Sequence, residues 1–449
     1  MSVLNVLLLC SLPSRDSSAD TLTHHITAFQ RHSRHNMFCL SNRGALPSRL
    51  DLDRFDVLVM HHSIWITSES HLAASAAERI GRFAGLKVQF RQDEYFTVDA
   101  MTDAMRRLGI DVLYTCVPAG EVDRIYPPGA LPNARKITTL TGFVPDDMLA
   151  REVAPIALRP IDVSYRARKP PYGLGELAVE KWRIVPRFLE ATRHHRLVTD
   201  LSYQEKDRLY GEDWIRLLAS SKCTLGVESG ASVFDFSGKI HRDVERYLSE
   251  RPQAEFEEVR DRFFAAEEGS IPVNQISPRC FEAAALRTAM ILFEGNYSGI
   301  LQPWRHYVPL KKDFSNIEEV VSVVRKPEML QAIADHAYRE VALNPLYSHL
   351  HFIAGFDEVV EQEFRARGKP AAARPYTRAV YALDLCTSLG YAARAAALFF
   401  LERLLFGTRL RRLLQRFWYN MPIERRAKMG ALLKLLGKTD IYIPKSGKS

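Results

Sequence analysis

Two hydrophobic patterns alternate along the 449-residue chain. Short apolar runs bounded by turn residues predict strands, and stretches with apolar positions three and four apart predict helices. Residues 3–10 are apolar almost without a break, the pattern of a strand covered on both faces of a parallel sheet. Similar runs recur at 37–40, 55–60, 86–90, 110–115 and 135–140, separated by helical stretches at 19–31, 71–83 and 98–108. The pattern then restarts, with strands at 160–165, 196–201, 223–227 and 288–293. Helices are predicted at 176–195, 210–221, 316–324, 327–343 and 347–367. Such alternation predicts an α/β chain of two doubly wound domains, residues 1–155 and 156–368, followed by an extension over 369–449. A charged stretch at 241–268 reads as one or two surface helices with a mainly solvated face, inserted into the second domain.

Composition narrows the class. Net charge is +8, yet from Pro370 onward 15 Lys/Arg stand against 4 Asp/Glu, so residues 1–369 carry a net −3. The folded body therefore lacks the basic stripe that a nucleic-acid surface needs, and no nucleic acid is expected as partner. Six scattered cysteines without a C-x-x-C pair read as reduced thiols of a cytoplasmic protein. The apolar N-terminus has no basic leader or small-residue cleavage site, and no uncharged run approaches the roughly 20 residues that span a bilayer. The loop after the first strand, Ser11-Leu-Pro-Ser14, has no glycine, which counts against a dinucleotide fingerprint.

Candidate chemistry gathers at the carboxyl ends of the predicted strands, where doubly wound sheets bind ligands. His61 and His62 follow one strand. Side chains at successive strand positions point to opposite faces and no third ligand is near in sequence, so a plain structural role, or else a polar strand end or a substrate contact, is favoured over a metal. Asp93 and Glu94 follow the next strand; two acids in apolar surroundings suit a general base, the alternative being a helix cap or a solvated loop. In the second half, Arg166, Arg168 and Lys169 precede a predicted helix in a loop able to hold a diphosphate or simply to be solvated. Glu228, Ser229, Gly230 and Ser232 line another strand end, where small residues admit a ligand close to the backbone.

Residues 274–295 are the most informative stretch. Ser277-Pro278 reads as an N-cap and first helical residue, with the serine oxygen accepting from an orphan N–H. Arg279 and Glu282 lie in the first turn or so. A helix start favours a phosphate, and a carboxylate one turn in can accept from a sugar hydroxyl. The combination suggests a nucleotide-sugar site.

The segment Pro278-Arg-Cys-Phe-Glu-Ala-Ala-Ala-Leu-Arg-Thr-Ala-Met-Ile-Leu292, then Trp304-Arg-His-Tyr-Val-Pro-Leu310, a lysine-rich turn and a terminal helix pair, resembles GT-B glycosyltransferases of the group-1 or spore-maturation-like kind. The likeness covers about residues 160–364 and reaches 3–145 only through strand order and Thr141-Gly-Phe-Val-Pro145. It implies two Rossmann-like domains facing a cleft, a nucleotide-sugar donor in the second and the acceptor in the first, with no bound metal and no cofactor. It implies that Glu282 holds the donor ribose, that Arg166, Arg168 or Lys169 holds the diphosphate, and that Ser229, Gly230, Ser277 and Arg279 line the same site. Retaining members carry a second glutamate eight positions before the ribose ligand. Here that position is Asn274, so Glu228 is a spatial replacement, or else Asp93 or Glu94 serves as base in an inverting reaction. The implied activity is transfer of a hexosyl-type sugar to a polysaccharide, lipid-linked or protein acceptor; a nucleotide-sugar epimerase of the same fold and a non-catalytic membrane-surface scaffold are the alternatives.

Within the extension, residues 395–420 interleave leucines and aromatics with arginines. They fit an interfacial helix on an anionic leaflet at the inner face of a membrane, or a helix pair packed on the body or on a partner.

Overall fold

The structure, a computed structural model, describes residues 3–13 and 20–388. Its first sheet contains β1 (Asn5–Cys10), β2 (Asn36–Ser41), β3 (Val57–Met60), β4 (Leu86–Phe90), β5 (Val112–Thr115) and β6 (Arg135–Thr138). All run parallel in the order β2-β1-β3-β4-β5-β6. The unbroken apolar run of β1 has a direct cause. Leu7 and Leu9 enter one core layer with Leu58 and Met60, while Val6, Leu8 and Cys10 enter the other with Val59 and Phe90.

The second sheet contains β7 (Ile161–Arg166), β8 (Thr199–Ser202), β9 (Ser221–Gly226), β10 (Ala289–Phe293) and β11 (Val308–Leu310). These are parallel too, in the order β11-β10-β9-β7-β8. Here again an inner strand, β10, serves two layers: Ile291 and Phe293 face one cluster, Met290 and Leu292 the other. Two doubly wound parallel domains, as expected, are present. In each, successive connections leave a central strand in opposite directions, which opens a crevice between β1 and β3 in one sheet and between β7 and β9 in the other.

Three segments shape how the domains are joined and covered. The 18-residue helix His349–Ala366 follows the second domain in sequence but packs on the first: Phe352, Ile353, Phe356 and Val360 join Phe29, Phe90 and Phe143 there. Its Asp357 accepts from Ser33 Oγ at 2.7 Å and the Arg34 amide at 2.9 Å. Assigned to the second domain from sequence, this helix crosses back because its apolar stripe is aromatic and fits the aromatic layer over β4. The chain then stays on the first domain, where Tyr376 and Tyr381 pack with Phe38 and Phe55. Third, the charged insertion buries Val244, Tyr247, Phe256 and Val259 against its own domain and leaves its polar face outward. Its flanks reach across, with the Asp235 amide on Tyr95 O at 2.8 Å and Phe234, Ile271 and Val273 in the first domain's core. Residues 395–420, read as an interfacial or packed helix, lie outside the described residues. None of the six cysteines is paired, and Cys10, Cys116, Cys223 and Cys280 are buried.

Candidate active site

The domains meet where Thr21 Oγ1 donates to Glu282 at 3.3 Å and the Asp235 amide to Tyr95 O at 2.8 Å, and the predicted site residues divide between the two sides. On the second domain, Arg166 is committed to its own sheet: Nε donates to Asp207 O at 2.9 Å and Nη2 to Asp200 Oδ1 at 2.8 Å. It ties β7 to β8 and presents no free fork to a ligand, which corrects its expected place on the diphosphate. Lys169 lies 4.4 Å over the Trp182 ring and 5.3 Å from that of Tyr203, a cation–π seat turned to the helix flank. Arg168 is exposed. Arg279 spreads between the Tyr165 and Trp214 rings, at 5.6 and 5.4 Å, and donates to Arg166 O.

One cation was missed from sequence. Lys181 sits in the helix Glu176–Thr192, which begins directly after the cationic loop, and its Nζ donates to Gly230 O at 3.2 Å. Burial pushes its pKa down to about 8, with Asp93 of the facing domain opposing the shift and the like charges of Arg168 and Arg279 adding to it. The signal was present in the pattern. Leu177, Ala178, Ile184, Val185 and Phe188 form the helix's buried stripe, and Lys181 falls within it.

The floor of this wall is built from glycine and exchanged backbone bonds. Ser229 and Gln275 pair both ways, at 2.7 and 3.0 Å. Gly230 has φ +110°, and a Cβ there would stand 2.0 Å from Val273 O. Glu228 does come beside Asn274, as a spatial replacement requires: Oε2 accepts from Asn274 Nδ2 at 2.7 Å. Its other oxygen accepts the Asn296 and Tyr297 amides at 3.1 and 2.8 Å. The carboxylate is thus buried and held by three donors that lock the loop after β10.

The helix Pro278–Ala285 starts where expected, with Pro278 at its first position and Ser277 in extended conformation before it. The serine hydroxyl makes no capping bond, contrary to expectation, so the orphan amides at this terminus are not taken up by it. Gly142 of the first domain presses on this start, and a Cβ there would lie 2.9 Å from Pro278 Cβ. One turn in, Glu282 is buried at the seam, accepting from Trp214 Nε1 at 2.9 Å and, across it, from Thr21 Oγ1 at 3.3 Å. Burial raises its pKa.

On the first domain the two adjacent acids part company. Asp93, in a left-handed conformation at φ 56°, is exposed and accepts from Tyr95 OH at 3.0 Å. Glu94 turns inward, where both oxygens meet Thr115 Oγ1 at 2.7 and 2.8 Å, one takes the Cys116 amide and the other the Tyr126 hydroxyl. Only Asp93 presents its carboxylate to the cleft; Glu94 braces the strand ends of its own domain.

The histidines also differ from expectation. β3 ends at Met60, and the chain turns so that the Ile64 amide bonds to His61 O at 2.9 Å. Freed from strand alternation, the His61 and His62 rings lie 4.0 Å apart by centroid, and a third imidazole, His25 from the helix Asp20–His32, joins them. The expectation of opposite faces assumed that strand alternation carried on past Met60, whereas the third ring, His25, stands 36 positions from His61 in sequence and comes near only in the fold.

Two doubly wound parallel domains share a cleft at their strand carboxyl ends, and the last long helix returns to the first domain. The fold is GT-B. No protein-family description matches the chain, and neither does any curated protein. Among solved structures, the chain is similar to Anabaena HepE in complex with UDP, at 9% identity over 80% of this chain and 100% of that one, TM-score 0.47. It is also similar to an alpha-glucosyltransferase in complex with UDP and a 13-mer DNA, at 7% identity, 80% and 100% coverage, TM-score 0.44. An alpha1,3-fucosyltransferase overlaps at 11% identity, 80% and 90% coverage, TM-score 0.39. These are partial likenesses of chain path, and the architecture rests on the strand orders and the returning helix.

Proposed function

We propose that this protein is a glycosyltransferase that moves a sugar from a nucleotide-diphosphate donor to an acceptor hydroxyl held by the first domain. The observation that carries the reading is Lys181: an ammonium drawn into the mouth of the second domain, near Arg168 and Arg279, beside a helix start that has no side-chain cap. Three cations and an amide terminus suit two phosphates, and they neutralise a departing diphosphate without a metal. Glu282, one turn into that helix, is the residue we assign to the ribose; in the free protein its oxygens accept from Trp214 Nε1 and Thr21 Oγ1.

In this scheme the anomeric carbon–diphosphate bond breaks, the acceptor oxygen bonds to that carbon, and the hydroxyl proton passes to a base. Asp93 is the exposed carboxylate on the acceptor side, which favours an inverting course. Glu228 keeps its donors and shapes the loop. Polysaccharide, lipid-linked and protein acceptors all fit this chemistry, and a basic segment at 395–420 would bring the enzyme to an anionic leaflet. No helix among the described residues is long and apolar enough to cross a membrane.

The test is a thermal-shift screen against nucleotide-sugars followed by calorimetry. A ligand that binds only the folded chain raises its stability by about 2.7 kcal/mol at 100 times Kd. At least one UDP- or GDP-sugar is expected to do so, and Glu282→Ala and Lys181→Met each to abolish the shift. Unchanged binding in both variants would remove these residues from the donor site.

A further inference from the structure

The crevice between β1 and β3, the switch point of the first sheet, holds the three imidazoles of His25, His61 and His62. One nitrogen of each lies within 4.8 Å of the other two. His25 Nδ1 and His61 Nε2 are 2.8 Å apart, and the His25 and His62 ring centroids 5.5 Å. Phe29, Phe90 and Phe352 enclose His25. His25 and His61 are buried, whereas His62 is only half-buried and forms the rim.

We propose that His25, His61 and His62 bind one transition-metal dication of the zinc class, with a fourth position open on the His62 side toward the cleft. Imidazole nitrogens are ligands of choice for such ions, and three from two elements with an open position is the arrangement of a reactive rather than a closed structural site. Burial drives all three rings toward the neutral form, in which a lone pair is available.

The contacts around His61 say how the site converts. Its Nδ1 accepts the Ser63 amide at 3.0 Å, which leaves the proton on Nε2, directed at His25. Ser63 Oγ lies 2.9 Å from the same Nδ1. On metal binding the proton of the neutral ring shifts to Nδ1 and is donated to Ser63 Oγ, the amide gives up its bond, and Nε2 turns its lone pair to the ion. His61 keeps one proton throughout. A hydroxyl behind a ligating histidine is the kind of outer partner that fixes tautomer and orientation.

This site is independent of the transferase reading. It lies on the first domain, apart from the cations placed at the diphosphate. Titration of untagged, metal-stripped full-length protein with Co2+, followed by visible d–d absorption and calorimetry, tests it. One equivalent per chain is expected to give intense four-coordinate bands that Zn2+ removes. His62→Ala, a rim substitution whose fold is checked by circular dichroism, should weaken Co2+ at least about tenfold; Ser63→Ala, which keeps all three ligands, should also weaken it about tenfold or more. Absence of a saturable band in the wild type, or Co2+ affinity unchanged by both substitutions, overturns the proposal.

Discussion

Lys181 spends its charge unfavourably in the free protein. With its pKa at about 8 against an ordinary 10.5, the folded state holds this proton less tightly than the unfolded chain. Its contribution to stability therefore rises with pH from about 8 to about 10.5 and is unfavourable below. A bound diphosphate reverses the preference by stabilising the ammonium. Nucleotide affinity should be flat below about pH 8 and decline above it, by up to about tenfold per pH unit until the pKa of the complex is reached. Calorimetry of the nucleotide found by the screen, across about pH 6.5–9.5, would show this, and Lys181→Met should remove the slope. Near pH 8 the wild type should also take up protons on binding, seen as a heat that changes with buffer. Single residues were the hardest scale to read from sequence. Glu282 and Asp93 were visible as carboxylates at element ends, whereas the division between Asp93 and Glu94 depends on which way a left-handed backbone turns the next side chain. Arg166 and Lys169 could not be told from Arg168, because their partners, Asp200 and Trp182, come from other elements.

Elements were legible to within a few residues where the pattern was strong. The strand Leu86–Phe90 and the helix Val98–Leu108 match their expected bounds, the helix stopped by Gly109 in left-handed conformation at φ 68°. The histidine pair shows the limit: the chain turns as soon as the strand ends at Met60, so strand alternation does not carry on to His61 and His62, and a cluster forms in place of opposed side chains. Close approach is the other limit. Gly230 reads from sequence only as a small residue near a ligand, but in the fold it lets β9's outgoing loop touch the backbone of Val273. Gly230→Ala adds a Cβ where a carbonyl oxygen already lies and strains a positive φ. It should cost at least about 2 kcal/mol in urea unfolding and, because Gly230 O holds Lys181, weaken nucleotide binding as well.

At the scale of the molecule, the chain does not divide where its composition changes. The basic extension reads as a tail from residue 369, yet Tyr376, Tyr381 and Ser388 lie on the first domain, with Tyr376 OH accepting the Asp51 amide at 2.9 Å and Ser388 Oγ accepting that of Arg49 at 3.1 Å. Truncation after residue 369 should therefore give a lower thermal midpoint than truncation after Ser388, through exposure of Phe38 and Phe55. Activity on a soluble acceptor should follow the same split. Equal midpoints for the two truncations would show that the tyrosine contacts add nothing. Composition could not reveal this docking, since two tyrosines among alanines and arginines carry no periodic signal.

The helix that returns from the second domain has a consequence for synthesis. Phe29 and Phe90 emerge from the ribosome early, but the residues that cover them, Phe352 and Phe356, come more than 200 positions after the last strand of the first sheet. At roughly 5–20 residues per second that is a wait of about 10–40 s. Through that interval the nascent first domain carries an uncovered aromatic face, so it is while still being translated that this chain has most need of a chaperone.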